Sequence, residues 1–241
     1  MSFVPSKSPS NAEASLRVYL EREFHAIARA LPSAAARFPE TDVERDEGIT
    51  VADDRYQPGD VWRYHDGEIV FDSSTDWHVA MQSALSLSHY YPMLIKSTGA
   101  ESRYYRITDE LVLPEQHGIE VQGSGYFSIV RQATATKGFM TRAAGPDTTL
   151  NYGVFRNVFC GVLGAIAGGT AFNLEGCSTF KMYGCDVIAD NVLQGFMTGY
   201  RCWSKTDTGR YCYYGNFFAC NVRTFVDSAA LGFVFGGDAG H

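Results

Sequence analysis

The chain has 241 residues, a formal net charge of −7 and an apolar fraction of 45%. The apolar fraction excludes a disordered chain, and the acidic excess argues against a protein that binds nucleic acid or an anionic membrane surface. The sequence contains no run of about 18 apolar residues and no signal-peptide core at its start, so we expect neither membrane insertion nor secretion by that route.

The two parts of the chain differ in composition. Residues 151–241 contain 15 of the 24 glycines, 17 of the 33 aromatic residues and all six cysteines, but only 12 of the 47 formal charges. This distribution predicts a charge-rich first part and a second part that turns often and buries aromatic side chains at regular intervals.

An amphipathic helix is predicted over residues 11–31. Ser10 and Glu13 form a capping-box pattern, and Pro32 ends the helix. One apolar stripe runs along it at spacings of three or four residues: Leu16, Leu20, Phe24, Ile27 and Leu31. The stripe is compatible with an oligomerising or docking helix in a symmetric trimer, and equally with a helix folded back on its own domain.

A linker and a hairpin are predicted next. Residues 32–56 form the linker, which includes an acidic run at 40–47. Residues 57–71 predict a β-hairpin, because aromatic and apolar residues alternate on both sides of the turn His65-Asp66-Gly67. A His–Asp pair in such a turn is more typical of turn chemistry than of acid–base catalysis.

A short helix and four strands are predicted between the hairpin and residue 125. Asp76 caps a helix over residues 77–85, which contains Ala80, Met81 and Gln82. Strands follow at residues 94–95, 104–107, 111–114 and 118–125.

A cysteine-centred repeat is predicted in residues 151–241. Three segments align on cysteines that follow aromatic-rich strands: Cys160, Cys185 and Cys220. A phenylalanine preceded by a small residue comes 11 to 13 residues after each cysteine: Phe172, Phe196 and Phe233. The first period is 25 residues, and the longer second period predicts an insertion of about eleven residues within 201–214.

This repeat predicts a right-handed parallel β-helix with about 25 residues per rung, because the glycine density and the lack of helical periodicity exclude helical repeats. The cysteines are expected to form one internal ladder and the phenylalanines a second. Stacked thiols are compatible with metal binding or oxidation, but no Cys-x-x-Cys occurs and His241 is the only histidine after residue 150. We therefore expect buried apolar thiols, no metal and no cofactor, in a reducing compartment.

The order of these motifs resembles the opening of the pectate-lyase-like β-helix family, in the form carried by bacteriophage tailspike and tail-fibre proteins. The matching motifs are Ala80-Met81-Gln82, Tyr105-Arg106-Ile107, the segment 111–114 and the segment 119–125. In that family the helix plugs the first rung of the solenoid.

The resemblance implies a virion component made in the host cytoplasm. Residues 1–73 would form a trimerisation segment that attaches to phage tail or baseplate proteins, and residues 74–241 would form the plug helix and the first rungs of the β-helix. The sequence shows no capping helix after its last rung, so we expect a solenoid that is incomplete or covered by partner chains. The implied role is the particle-proximal part of a homotrimeric tailspike or tail fibre used for host attachment.

Two other functions stay open, an adaptor for other tail proteins and a polysaccharide depolymerase of the hydrolase or lyase type. Glycan hydrolysis requires paired carboxylates, for which Asp186 and Asp190 are candidates, although acidic residues at β-helix corners are more often turn residues. The candidates for stacking on a host polysaccharide are Trp203, Tyr211, Tyr213 and Tyr214. The same aromatic residues are also compatible with covering the coil or packing against a neighbouring subunit.

Overall fold

The computed structural model describes residues 52–100, 102–125, 127–142, 149–164, 169–189, 195–204, 211–212, 214–223 and 231–237. The predicted helix over 11–31, its apolar stripe and most of the predicted linker lie outside these ranges, as do Asp190 and Tyr213.

Three five-stranded parallel sheets form the faces of a solenoid. The first face consists of β1 (Met93–Ile95), β4 (Glu120–Gly123), β8 (Val154–Arg156), β12 (Lys181–Tyr183) and β15 (Asn216–Phe218). The second consists of β2 (Tyr105–Ile107), β5 (Ile129–Gln132), β9 (Phe159–Val162), β13 (Asp186–Val187) and β16 (Asn221–Val222). The third consists of β3 (Leu111–Leu113), β6 (Met140–Arg142), β10 (Thr170–Asn173), β14 (Thr198–Ser204) and β17 (Leu231–Gly237). A small fourth sheet pairs β7 (Leu150–Asn151) with β11 (Cys177–Ser178).

Consecutive strands lie on consecutive faces, and every strand pairs in parallel with the strand one coil away. The chain is therefore a parallel β-solenoid, as the repeat predicts. Its core is a column of stacked apolar side chains, of which Trp77, Tyr105, Phe172 and Tyr200 are among the largest that are fully buried. Such a column forms because side chains alternate between the two faces of each strand, and the inward positions of successive coils lie above one another.

The two predicted ladders have a different register. Cys160 pairs with Val187, 27 residues later, whereas Asp186 pairs with Phe159, so Cys185 is two positions away from the Cys160 row. Phe172 pairs with Tyr200, and Tyr200 pairs with Phe233, so Tyr200 takes the place predicted for Phe196. The predicted ladders and the period of 25 residues were wrong here, because an inward position requires an apolar side chain of suitable size and not the same residue.

The corners of the coils repeat in backbone conformation and not in residue type. Asn157, Gly184 and Ala219 have φ values of 51°, 57° and 51°, at intervals of 27 and 35 residues. The backbone N–H of Asn157 donates to the Tyr183 carbonyl at 2.8 Å, and that of Gly184 donates to the Phe218 carbonyl at 2.9 Å. This left-handed corner stacks from coil to coil and gives the true period of the solenoid.

A second corner column repeats at the same intervals. Tyr152, Thr179 and Tyr214 have φ values of 66°, 53° and 54°. The shared intervals show that the insertion predicted within 201–214 lengthens the last coil without changing its corners.

The first coil is closed on all three faces. Helix α1 (His78–Ser86) buries Ala80, Met81, Ala84 and Leu85, and the side chain of Gln82 bonds to the backbone of Val112 on β3. Trp77 donates its N–H to the Arg106 carbonyl of β2 at 2.8 Å, and Leu94 of β1 donates to the Gly59 carbonyl at 2.7 Å. This arrangement confirms the predicted plug helix, with Asp76 accepting the His78 N–H at 3.0 Å.

The hairpin predicted over residues 57–71 is not formed. These residues contain a 3₁₀ helix (Val61–Tyr64), whose first turn is capped by the Asp60 carboxylate, and they contain no strand. The Trp62 indole N–H donates to the Tyr105 hydroxyl at 2.7 Å, and the His65 ring stacks on Trp77 with centroids 3.9 Å apart. The alternating aromatic residues therefore cover the closed end of the solenoid and do not pair with each other as strands.

Candidate functional site

The last three strands, β15, β16 and β17, form the surface that we call the terminal coil. Each pairs with the preceding coil on one edge, and no strand in the described part of the chain pairs with its other edge. The terminal coil contains no charged residue, and four of its large apolar side chains are 41–63% exposed: Phe218, Leu231, Phe233 and Phe235. An uncharged apolar edge of this kind is a template for the addition of another strand layer.

A continuous aromatic stack leads from the core to this surface. The rings of Phe172 and Tyr200 lie 5.1 Å apart at 11°, and those of Tyr200 and Phe233 lie 4.8 Å apart at 16°. Phe235 continues the stack at 6.3 Å from Phe233, and Phe217 packs edge-on against both. The terminal coil thus exposes the end of the solenoid's own core, which on the closed side is covered by α1.

Trp203 lies beside a small polar cluster on β14. The Arg201 guanidinium lies 5.0 Å from the Trp203 ring centroid, and it reaches Glu175 at 3.6 Å and the Asn173 amide oxygen at 3.0 Å. A Cβ on Gly236 would lie 2.6 Å from the Trp203 ring, so glycine lets β17 pass close over the indole. An aromatic ring beside a cation and a carboxylate is an arrangement that suits the apolar face and the hydroxyls of a sugar.

The other aromatic candidates lie after β14. Tyr211 is 41% exposed and its backbone N–H donates to the Thr149 hydroxyl at 2.9 Å. Tyr214 is 75% exposed and occupies a left-handed corner. Their exposure leaves both rings open to a ligand or to a neighbouring subunit.

Asp186 lies on β13 between Phe159 and Asn221 in register, where Asn221 was predicted correctly and Gly161 was expected in place of Phe159. Its carboxylate accepts the backbone N–H of Asn221 at 3.1 Å and the Asn221 side-chain amide at 3.0 Å. The carboxylate is thus engaged in holding the terminal coil. Its predicted catalytic partner, Asp190, lies outside the described residues.

One exposed ladder was missed by the sequence analysis. The Arg156 guanidinium lies 4.9 Å from the Tyr183 ring centroid, and the Tyr183 and Phe218 rings stack 5.0 Å apart at 10°. The signal is the spacing of 27 and 35 residues between these positions, which the true register makes neighbours. The ladder extends the aromatic surface of the terminal coil over the outside of the first face.

All six cysteines are free thiols, and Cys160, Cys177, Cys185 and Cys202 are buried. These four therefore behave as the small apolar side chains predicted from the sequence. Within the described residues, no group of three or more His, Cys, Asp or Glu side chains is arranged to hold a metal ion.

Comparison with protein-family models, with curated proteins and with solved structures finds no match for this chain. In the part of the chain that the structure describes, no helix is long and apolar enough to cross a membrane.

Proposed function

We propose that the chain is a phage virion component, the particle-proximal part of a homotrimeric tailspike or tail fibre that contributes to host attachment. Its solenoid is a right-handed parallel β-helix, the hand that parallel crossover connections nearly always have. The protein is made in the host cytoplasm and resides in the virion tail.

The observation that carries the proposal is the contact between Gln82 and Val112. The family that the sequence resembles has an Ala-x-Gln helix that plugs the first rung, and here the Gln82 amide occupies the free edge of β3. The strands that follow lie in the first two coils, in the order of the matching motifs. The resemblance in sequence thus corresponds to a specific contact and not only to a fold class.

The polarity of the solenoid also supports the proposal. One end is closed by α1 and the aromatic layer, whereas the terminal coil presents unpaired strand edges and an aromatic stack. A fibre component that is attached at one end and continued by further β-structure at the other requires this asymmetry. The partner that adds to the terminal coil would be another β-structured chain or segment.

Location tests this function. An antibody raised against residues 52–237 should label the tails of intact particles produced from the genome that encodes the chain, and mass spectrometry of purified particles should recover its peptides. Particles that lack the chain after density-gradient purification would contradict a virion role.

Oligomeric state is tested separately through the predicted helix at 11–31. The wild-type chain should sediment with three times its own mass, and the double variant Leu20→Asp/Phe24→Asp should sediment as a monomer, because it places charges in the apolar stripe. The matched control Glu21→Ala/Arg22→Ala changes the polar face of the same helix turns and should remain trimeric. A wild-type monomer would contradict the trimer.

A glycan-binding role is a second candidate, favoured by the cluster of Trp203, Arg201 and Glu175. We infer that this cluster contacts the host polysaccharide, with Tyr211 as a further contact. Binding of purified host capsule or lipopolysaccharide should weaken in Trp203→Ala and persist in the control Trp62→Phe, which changes an aromatic residue at the closed end. New reducing ends or unsaturated products that vanish in Asp186→Asn would instead indicate the depolymerase activity.

A further inference from the structure

Cys185 and Cys220 occupy the same position in consecutive coils. Their neighbours Asp186 and Asn221 are paired in register, and each cysteine follows a left-handed corner residue, Gly184 or Ala219. Each thiol donates to the carbonyl two residues earlier, at 3.6 Å for Cys185 and 3.5 Å for Cys220. The two side chains therefore have the same local geometry and lie one above the other.

This stacking places the two cysteines at a separation suitable for a disulfide. Neighbouring strands of a sheet lie about 4.8 Å apart, and disulfides join cysteines whose Cα atoms are about 4.4–6.8 Å apart. The repeated corner conformation gives both Cα–Cβ bonds the same direction, so only the side-chain torsions need to change for bond formation. The pair differs in this respect from Cys160, which lies two positions away along the row.

The two thiols differ in reactivity. Cys220 belongs to the partly exposed terminal coil, whereas Cys185 is buried. The hydrogen bond from Cys185 lowers the pKa of Cys220 to about 7, although burial and the neighbouring Asp186 carboxylate act in the opposite direction. The same hydrogen bond, together with burial, raises the pKa of Cys185. Cys220 is thus the thiol that presents a thiolate to solvent, and Cys185 is positioned behind it.

We propose that Cys220 and Cys185 are an oxidation site, at which thiol–disulfide exchange with a low-molecular-weight disulfide forms a cross-link between the terminal coil and the coil before it. The Cys220 thiolate attacks one sulfur of the reagent, the reagent's S–S bond breaks and one thiol leaves with a proton. Cys185 then loses its proton and attacks the Cys220 sulfur of the mixed disulfide, which releases the second thiol. Two protein thiols are oxidised and one reagent disulfide is reduced to two thiols.

The consequence is a covalent restraint on the part of the solenoid with the fewest neighbours. The strands β15, β16 and β17 are held on one edge only within the described residues, and such edges open more readily than the core. The cross-link would fix β16 to the coil before it while the folded, reduced protein stays unchanged elsewhere. The inference does not depend on the proposed virion role.

Peptide mapping tests this site directly. Trypsin separates the two cysteines, since residues 182–201 carry Cys185 and residues 211–223 carry Cys220 together with Cys212. The full chain with Cys212→Ala should be treated with oxidised glutathione, alkylated and digested. We expect a cross-linked pair of these peptides, the loss of two hydrogen atoms from the intact mass, and a rate that rises as the pH passes through about 7.

Matched variants define the alternatives. Cys177→Ala, added to the same chain, should form the cross-link at an unchanged rate, whereas Cys185→Ser should stop at a glutathione adduct on Cys220. Near-ultraviolet circular dichroism of each variant before oxidation shows that it is folded. A lasting glutathione adduct in the Cys212→Ala chain, a cross-link to any other cysteine, or a Cys220 that stays fully alkylatable would each overturn the proposal.

Discussion

The side-chain amide of Gln82 makes both hydrogen bonds that a neighbouring strand would make with Val112. Its Nε2 donates to the Val112 carbonyl at 2.9 Å, and its Oε1 accepts the Val112 N–H at 2.8 Å. A helix side chain thus completes the edge of β3, where helix backbone has no free groups to offer. The contact links the short plug motif in the sequence to the closed end of the solenoid.

Replacing Gln82 should loosen this end. We expect Gln82→Ala to lower the free energy of unfolding by about 1 kcal/mol, because both Val112 groups lose their partner at a site that water reaches. Ser83→Ala on the same helix removes a hydroxyl that bonds only to Val79 of its own helix, and should cost less than half as much. Urea unfolding monitored by circular dichroism measures both. Equal losses would show that Gln82 acts only through the helix.

The plug could be predicted from the sequence because it depends on a local motif, whereas the register of the solenoid could not. Cys160 and Cys185 invited alignment by identity, yet the row of Cys160 continues through Val187 and Val222. Packing selects size and apolarity at each inward position, so identical residues are a poor guide to register. The feature that repeats is the left-handed corner, and Asn157, Gly184 and Ala219 share no residue type that a sequence comparison would match.

The candidate surface was predicted in part for a similar reason. Trp203 and Tyr211 were visible as aromatic residues near an insertion, but the stack that ends at Phe233 depends on Tyr200, which the alignment passed over. The alternating aromatics of residues 57–71 suggested a hairpin because a covering layer over an apolar core produces the same alternation. Long-range pairing decides between these outcomes, and it is not encoded in a short window.

The corner at Ala219 gives a prediction with a sign. Ala219 has φ 51°, where a Cβ costs about 1 kcal/mol relative to glycine, so Ala219→Gly should stabilise the terminal coil by up to about that amount. Ala133→Gly is the matched control, because Ala133 is not among the residues with positive φ and glycine there only adds freedom to the unfolded chain. Thermal unfolding should shift upward for the first variant and downward for the second. A downward shift in both would contradict the strain assigned to the corner.

The exposed aromatic end predicts association of the chain. Phe235 is 63% exposed at the uncharged edge, so Phe235→Lys should reduce the concentration-dependent growth of assemblies beyond the basic oligomer. Tyr152→Lys is the matched control, since Tyr152 is 65% exposed but belongs to an earlier coil with strands on both sides. Light scattering across a concentration series compares the two. An equal reduction in both variants would show that net charge, and not the terminal coil, governs association.

The buried phenol of Tyr200 predicts how stability changes at high pH. Burial raises the pKa of Tyr200 in the folded protein, and its hydroxyl donates to the Cys185 carbonyl. Above the ordinary tyrosine pKa of about 10 the unfolded chain loses this proton while the folded chain keeps it, so the free energy of unfolding falls as the pH rises. Tyr200→Phe should be about 1 kcal/mol less stable at neutral pH, through the lost hydrogen bond, and should lose less stability than the wild type on going to alkaline pH. Tyr214→Phe, at an exposed corner, should follow the wild-type curve. Urea unfolding at a series of pH values distinguishes them, and parallel curves for Tyr200→Phe and the wild type would show that this phenol is not the group that titrates.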